Sequence, residues 1–343
     1  MAEPKYKYQE LKRELTLRIR NGGFGPDGQI EPELSLMKRF GLSRNTVRQA
    51  LRELENEGYI YRRRGKGSFI RTEIPSEKRK IGFLLYSSAY TTYPLTADLI
   101  RGLDAGLSQE GYLLDIMVSA RSFHQENIAE TAKQYAALLI GAYQLDELTL
   151  QALREISIPI RFVKNYHRDF SESAIRFDYR AAGRLAAGYL AERGKKNLGL
   201  ILLGNRCCIM EDFQEGVIQV CLENGIRLSE RHIFHLDYER TADALEIGKR
   251  LERESDPPDG VICASDELAA ELRNGYSGEI TGCNGIPLAA ERGIPTVKFN
   301  GYALGRVAAE AILTDIKSGM TSRKQYGQIP PEFLLPPSAG SRA

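Results

Sequence analysis

From Ile81 onward, short apolar runs alternate with amphipathic segments, and this alternation limits the fold more than any other feature of the chain. The run at residues 81–86 is continuously apolar, which is typical of a strand buried on both faces. Apolar residues then recur at helical spacing through residues 94–110. Strands that alternate with helices form βαβ units around a parallel sheet. About 250 residues of this pattern predict an α/β body with two lobes, whose cleft binds ligands at the carboxyl ends of the strands.

The same pattern can be followed through most of the body. Further strands are predicted at residues 113–118, 137–141, 158–163, 198–203, 233–236 and 260–264. Further helices are predicted at residues 126–135, 145–155, 179–192, 210–223 and 241–253. A charged, proline-containing stretch without apolar period precedes the first strand, and it is typical of a linker. We therefore divide the chain into an N-terminal head at residues 1–71, a linker at residues 72–79 and a body at residues 80–343.

The head has the layout of a helix-turn-helix. A helix predicted at residues 6–20 is followed by a second helix that starts near Pro32 and ends at Phe40. Gly41-Leu42 makes the turn, and Ser43 is a good N-cap for a third helix. One face of the third helix is apolar, and the other can donate hydrogen bonds to phosphates and base edges through Arg44, Asn45, Arg48, Gln49 and Arg52.

A basic hairpin follows the third helix. Two predicted strands, residues 59–61 and 68–70, flank the stretch Arg62-Arg63-Arg64-Gly65-Lys66-Gly67, which can lie on a DNA backbone as a wing. For the third helix alone, an ordinary amphipathic helix with a solvated basic face is as good an interpretation as a DNA-binding helix. The turn before the helix and the wing after it argue against the ordinary helix. Residues 1–72 carry a net charge of +7 and the remaining chain −5. A basic head on an acidic body indicates nucleic-acid binding confined to the head.

Residues 8–70 resemble the winged DNA-binding domain of GntR-type bacterial regulators. The matching residues are Glu33, Leu36, Gly41-Leu42-Ser43-Arg44, Thr46-Val47-Arg48, Ala50-Leu51, Leu54, Glu57-Gly58 and Gly65-Lys66-Gly67-Ser68-Phe69-Ile70. The resemblance implies DNA contacts from Glu33, Ser43, Arg44, Asn45, Thr46, Arg48, Gln49, Arg64, Lys66 and Gly67. One departure is Glu31-Pro32-Glu33-Leu34, where the family usually has Pro-Ser-Glu-Arg. Since Leu34 cannot donate a hydrogen bond, a contact common in the family is expected to be missing.

The body resembles the effector domain of LacI/GalR regulators, which has the periplasmic sugar-binding fold. The resemblance rests on scattered landmarks, among them Ile81-Gly82, Pro94, Gly102, Asp178, Ala182-Gly183, Gly216, Ser265-Asp266 and Gly301-Tyr302-Ala303-Leu304-Gly305. Together, the two halves look like the arabinose-responsive type of repressor. The resemblance implies a homodimer that binds double-stranded operator DNA and responds to a small effector.

The body departs from this family where the family holds its sugar. Phe213, Ser265, Asn284 and Tyr93 stand where the family has Arg, Asn, Asp and Asn, whereas Asp178 is retained. The ligand-binding residues expected by resemblance are Tyr90, Tyr93, Asp178, Phe213, Asp266 and Asn284. Without the arginine, we expect a neutral sugar or polyol as the effector. Two alternatives stay open: the body has a changed specificity, or it is a dimerisation scaffold with a weak pocket. Asp178 and Asp266 are equally expected as helix N-caps.

Other function classes find little support in the sequence. No run approaches the roughly 20 apolar residues of a membrane helix, and the N-terminus lacks the apolar core of a signal peptide, so we expect a cytoplasmic protein. Five cysteines without a Cys-x-x-Cys pair fit reduced thiols. His232 and His235 are interpreted as structural residues, and we expect no metal site, no cofactor and no catalytic residue. One alternative is a sugar-binding module with a vestigial head, which the basic face of the third helix disfavours. The other is a sugar-processing enzyme, which the missing catalytic motifs disfavour.

Overall fold

The computed structural model describes residues 4–20, 24, 28–56, 59–63, 66–70, 79–85, 89–118, 125–141, 145–204, 208–237, 240–319 and 328–336. Glu57, Gly58, Arg64 and Gly65 lie outside these ranges, as do residues 71–78. The division of the chain at residues 72–79 therefore stays a prediction. None of the helices in the described ranges is long and apolar enough to cross a membrane.

The head consists of three helices and a two-stranded hairpin. Its elements are α1 (Pro4–Arg20), α2 (Glu33–Phe40), α3 (Arg44–Asn56), β1 (Ile60–Arg63) and β2 (Gly67–Ile70). Leu11, Leu15 and Ile19, spaced four residues apart on α1, are buried together with the apolar face of α3. Gly41 ends α2 in the left-handed conformation with φ 61°, and the Ser43 hydroxyl accepts a bond of 3.2 Å from the Thr46 amide at the start of α3. The predicted helix-turn-helix and wing are confirmed.

The first lobe of the body is a four-stranded parallel sheet with strand order β4-β3-β5-β6. Its elements are β3 (Lys80–Leu85), α4 (Ala89–Thr92), α5 (Pro94–Leu107), β4 (Leu113–Val118), α6 (Gln125–Ala132), β5 (Ala137–Ile140), α7 (Glu147–Glu155) and β6 (Ile160–Phe162). The predicted strand at residues 113–118 is found with the same bounds. The helix predicted at residues 94–110 ends as a short 3-10 turn, Ser108–Glu110, which Gly111 closes with φ 74°.

The second lobe is a six-stranded sheet with order β12-β11-β10-β9-β7-β8, in which only the edge strand β12 is antiparallel. Its elements, with the helix that returns to the first lobe, are α8 (Tyr179–Glu192), β7 (Asn197–Leu203), α9 (Cys208–Glu223), β8 (Arg227–Leu236), α10 (Asp243–Glu252), β9 (Gly260–Cys263), α11 (Asp266–Arg273), β10 (Glu279–Asn284), α12 (Pro287–Glu291), β11 (Thr296–Lys298), α13 (Gly301–Ser318) and β12 (Glu332–Leu334). The predicted α/β fold with two lobes is confirmed.

Two close helix pairs organise the lobes, and both depend on glycine. On α5 and α13, a methyl group at Gly102 would collide with the Tyr302 carbonyl, and one at Gly305 with the Leu99 carbonyl. On α8 and α9, Gly183 and Gly216 play the same part. The chain enters the second lobe after β6. After β11 it returns to the first lobe, where α13 packs on α5, and after α13 it enters the second lobe again to form β12.

A buried ion pair ties α13 to the sheet of the first lobe. The Arg161 side chain on β6 donates from Nε and Nη2 to the two carboxylate oxygens of Asp315 on α13, at 2.7 and 3.0 Å. Both side chains are fully buried. Removing one partner of such a pair leaves an uncompensated charge in the interior, which is costly.

We expect Asp315→Ala to lower the free energy of unfolding by about 3–5 kcal/mol. The double variant Arg161→Met/Asp315→Leu, which removes both charges and keeps most of the volume, should recover the larger part of that loss. Glu110→Ala is the control, because Glu110 forms an exposed ion pair with Lys317, which lies on α13 like Asp315. This exposed pair should contribute about 1 kcal/mol or less to the free energy of unfolding. Urea unfolding followed by circular dichroism measures all three. An equal cost for Asp315→Ala and Glu110→Ala would contradict this account.

Candidate DNA-binding surface and effector cleft

The first candidate site is the outward face of α3, where one carboxylate holds two arginines. Glu33, the first residue of α2, accepts from Arg48 Nε at 3.0 and 3.2 Å and from Arg44 Nε at 3.5 Å. Arg44 is exposed and Arg48 is half-buried. In these bonds each guanidinium donates from Nε, so the Nη groups, which in general recognise guanine or phosphate, take no part in them. Glu33 thus positions the donors of both arginines.

The other predicted DNA-binding residues divide into capping and exposed groups. The Ser43 hydroxyl lies 2.7 Å from the Thr46 hydroxyl and also caps α3, so both side chains are engaged in starting the helix. Asn45 and Gln49 are exposed and lie one turn apart on the same face as the arginines. The structure therefore places Arg44, Asn45, Arg48 and Gln49 on one surface, with Glu33, Ser43 and Thr46 behind them.

The wing adds a cation that motif matching did not single out. The Arg63 guanidinium lies over the rings of Tyr61 and Phe69, at 5.4 and 5.5 Å from their centroids. Those two rings stack on each other across the hairpin at 5.8 Å. Lys66 is exposed at the turn, and Gly67 has a φ of 109° that favours glycine, whereas Arg64 lies outside the described residues. The alternation of Tyr61 and Arg63 along β1 was the available sequence signal for this arrangement.

The second candidate site is the cleft between the lobes, where a hydrogen bond joins them. Asn284, the last residue of β10 in the second lobe, donates from Nδ2 to the Tyr93 hydroxyl at 2.7 Å. Tyr93 precedes α5 in the first lobe. Burial, followed by the charges of Glu267 and Asp266, raises the pKa of the Tyr93 hydroxyl well above its ordinary value, so Tyr93 stays neutral.

Backbone strain is concentrated around Tyr93. In the described ranges, the non-glycine residues with positive φ are Lys164, at 70°, and Asn284, at 108°. Both contact Tyr93, since the Lys164 ammonium lies 5.5 Å from the centroid of its ring. Such conformations are costly for non-glycine residues and cluster at functional sites. Tyr93 and Asn284 are thus brought together as the resemblance implied, and Lys164 adds a cation that the resemblance had not indicated.

Asp266 is not at the surface of the cleft, contrary to the expected ligand contact. It is fully buried, and its carboxylate accepts from the Thr296 hydroxyl at 2.6 Å and from the Ile286 amide at 2.8 Å. The expected N-cap role is also wrong for Asp266, because Ser265 caps α11. Asp266 instead fastens the loop after β10 to β11. Burial raises the pKa of Asp266 from 3.8 to about 7, against the lowering effect of its hydrogen bonds.

The remaining cleft predictions have mixed outcomes. Asp178 is half-buried and caps α8, since its carboxylate accepts from the Ala181 amide at 2.8 Å, so its N-cap role is confirmed. Phe213 is fully buried in the core, so its ring offers no exposed face for stacking. Its side chain belongs to the main core of the body, and its backbone carbonyl lies at the close contact between α9 and Gly183 of α8. Tyr90 lies in α4, and its side chain is outside the described residues.

A polar cluster beside Asp178 was missed by the sequence reasoning. Asp212 on α9 accepts from the Tyr166 hydroxyl at 2.8 Å and from Arg176 Nη1 at 2.7 Å. The Arg176 guanidinium stacks on the Tyr166 ring at 4.2 Å from its centroid. Burial and the Asp212 carboxylate raise the pKa of the Tyr166 hydroxyl, so it remains a donor. Asp212 directly precedes Phe213, which stands where the LacI/GalR family has an arginine. That difference is the sequence signal that could have drawn attention to Asp212.

The buried carboxyl of Asp266 predicts a pH dependence of stability. Because its pKa is about 7 in the folded protein and 3.8 ordinarily, the folded state holds a proton that the unfolded chain loses. The contribution of the protonated Asp266 carboxyl to the stability of the folded state is therefore complete below pH ~4, and it is lost as the pH rises towards 7. Relative to the wild type, Asp266→Asn should gain stability over that range by about 4 kcal/mol at most. Urea unfolding from pH 4 to 8 measures this, with the exposed Asp256→Asn as control. Parallel pH profiles for Asp266→Asn and the wild type would contradict it.

Comparison with known proteins agrees with this geometry. Residues 7–70 match the family described as bacterial regulatory proteins, gntR family. The arabinose metabolism transcriptional repressor of Halalkalibacterium halodurans is 25% identical over 364 aligned positions, which cover 94% of this chain and 92% of the relative. A complex of the transcriptional regulator CelR with cellobiose superposes with a TM-score of 0.66 at 18% identity, covering 93% of each chain. A LacI-family regulatory protein from Chloroflexus aggregans gives a TM-score of 0.66 at 14% identity, over 75% of this chain and 97% of that one. The chain thus joins a GntR-type winged helix-turn-helix head to a body with the fold of LacI-family regulators.

Proposed function

We propose that this protein is a cytoplasmic transcriptional repressor that binds operator DNA through its head and is controlled by a small neutral sugar or polyol in the cleft. The observation that carries the proposal is the pair Arg44 and Arg48 on the outward face of α3, both bonded to Glu33 within the segment that matches the gntR family. A basic head of net charge +7 on an acidic body supports it. The full-length similarity to an arabinose metabolism repressor favours regulation over catalysis.

In this proposal, the two parts of the head do different work. Arg44 and Arg48 lie near the start of α3, the end that contacts base edges when such a helix enters the major groove. Arg63, Arg64 and Lys66 of the wing bind the backbone or the minor groove, where contacts add affinity without reading the sequence. The head thereby separates specificity, on α3, from general affinity, on the wing.

Homodimerisation is part of the proposal because one winged head covers only half of an ordinary operator. A symmetric dimer presents two heads, and its binding site is an inverted repeat. The acidic body is the part of the chain that assembles the dimer, since the basic heads repel each other.

The effector acts through the relation between the lobes. A ligand that bridges Tyr93 on the first lobe and Asn284 on the second stabilises one arrangement of the lobes over another, and only such a difference can change operator affinity. A neutral sugar or polyol is favoured because Arg176 is already paired with Asp212, the Lys164 ammonium lies over the Tyr93 ring, and Phe213 is apolar. The cellobiose held by the structural relative CelR is a ligand of that class.

A second candidate function is a dimerisation scaffold that has lost ligand sensing. The specific observation in its favour is that Asp266 and Phe213, two of the positions expected to hold the ligand, are fully buried in structural roles. Binding measurements distinguish the two functions.

For DNA binding, we expect Arg44→Ala to reduce operator discrimination by about 1–3 kcal/mol because it removes a base contact. Lys66→Ala should weaken binding to all sequences alike and reduce the salt-dependence slope by about one, because it removes a phosphate contact. Arg292→Ala, an exposed arginine of the body, is the matched control. Footprinting should show an inverted repeat, and salt titration separates the two variants. Unchanged operator binding by both Arg44→Ala and Arg48→Ala would refute the DNA-binding assignment.

For the effector, we expect calorimetry to detect a neutral pentose or hexose and not its phosphate. Asp178→Asn should weaken that binding by about tenfold, since it removes a charged acceptor while keeping an oxygen that caps α8. Asp146→Asn is the control, because Asp146 caps α7 in the same manner. Tight binding of a sugar phosphate would overturn the neutral-ligand claim. The scaffold function would be favoured by a wild-type protein that binds none of these compounds.

A further inference from the structure

An exposed leucine stands beside the arginine pair of the head. Leu34, the second residue of α2, is 64% exposed. The apolar face of α2 is formed by Leu36, which is buried, with Met37 and Phe40, which pack against the same core. Leu34 points away from that face and contributes nothing to the core, so its apolar surface remains in contact with water.

The surroundings of Leu34 are polar and basic. The preceding residue, Glu33, accepts the bonds from Arg44 and Arg48, so Leu34 lies in the first turn of α2 directly after the residue that holds both arginines. Lys38 is exposed one turn further along α2, on the same side as Leu34. A single apolar side chain is therefore set into the surface that the proposed function assigns to DNA.

The chemistry of DNA leaves one good partner for such a side chain. Phosphates, sugar oxygens and most base edges are polar, and a leucine can neither donate to them nor accept from them. The 5-methyl group of thymine is the apolar group that the major groove presents, and apolar side chains contact it. Burying this contact removes apolar surface of both partners from water.

Resting on the proposed function, we propose that Leu34 is a specificity-determining residue that contacts the methyl group of one thymine in each half-site of the operator. Arg44 and Arg48 then read polar base edges from α3, while Leu34 reads a methyl group from α2. The departure from the arginine usual in the family is, in this chain, an exchange of a hydrogen-bonding side chain for an apolar one.

The test removes the methyl group from the DNA and the side chain from the protein, separately and together. The full-length protein first selects its operator from a random library. Each thymine of that operator is then replaced in turn by deoxyuridine, which lacks only the 5-methyl group. Binding is measured for the wild type and for Leu34→Ala, with Leu148→Ala as control because Leu148 is a body leucine of similar exposure, 55%. Since Leu34 is exposed and outside the core, Leu34→Ala should fold normally, which circular dichroism verifies.

We expect one thymine position per half-site at which deoxyuridine weakens wild-type binding about fourfold, the size expected for one buried methyl group. At that position, Leu34→Ala should be insensitive to the replacement, whereas Leu148→Ala should behave as the wild type. Equal sensitivity of the wild type and Leu34→Ala at every thymine would overturn the inference alone. Operator binding unchanged by Leu34→Ala, with regulation lost in cells, would also overturn it and indicate a protein partner. Absence of any sequence-specific binding by the wild type would overturn the proposed function itself.

Discussion

The packing of α13 on α5 is the contact on which the shape of the body depends. The chain leaves the second lobe after β11, packs α13 against α5 of the first lobe, and returns to the second lobe with β12. Gly102 and Gly305 let the two helices approach until their backbones are in contact, so a larger residue at either position forces them apart. The Arg161–Asp315 pair adds a directional bond between α13 and the first-lobe sheet. In a close-packed interior, such a contact leaves few alternative arrangements of the two lobes.

The same contact places the candidate cleft. Tyr93 immediately precedes α5, so the position of α5 against α13 determines where the Tyr93 hydroxyl meets Asn284. On the far side, Asp266 fastens the loop after β10 to β11 and thereby fixes the backbone that carries Asn284. The positive φ angles of Lys164 and Asn284 persist because packed elements hold both residues in place. The cleft is therefore built by residues that are themselves mostly buried.

Much of the fold could be predicted from sequence wherever burial leaves a clear period. The helix at residues 179–192 has the predicted bounds because its buried residues recur at helical spacing. The strand at residues 113–118 also has the predicted bounds, because it is a short and mostly apolar run, although no residue of this edge strand is buried. The edge strand β8 begins at Arg227, six residues before its prediction, because an edge strand tolerates exposed charged residues such as Glu230 and Arg231 that a buried strand would not. The elements β10, α12, β11 and β12 were not predicted, since they are short and their pairing is decided by distant strands.

The sites were predictable to different degrees for a physical reason. On the head, the residues proposed to read polar base edges lie on one helix, so the period of that helix alone predicts that Arg44, Arg48 and Gln49 share a face. In the body, each cleft position sits at the end of a different strand or helix. A motif can align Phe213 and Asp266 with ligand-binding positions, yet only the packing of neighbouring elements decides whether a side chain reaches the cleft. The Tyr166–Arg176–Asp212 cluster joins residues 36 and 46 positions apart, and no local pattern indicates it.

Energy places a limit on how the proposed effector can act. The Tyr93–Asn284 hydrogen bond contributes about 1 kcal/mol between the lobes, which changes a two-state equilibrium only about fivefold. Moving the lobes from 1:99 to 99:1 requires about 5.5 kcal/mol of differential affinity. A ligand that merely replaced this one bond would leave the heads almost unaffected. Effective control therefore requires the proposed ligand to engage several groups on both lobes, such as Tyr93 on the first lobe and Asn284 and Asp178 on the second.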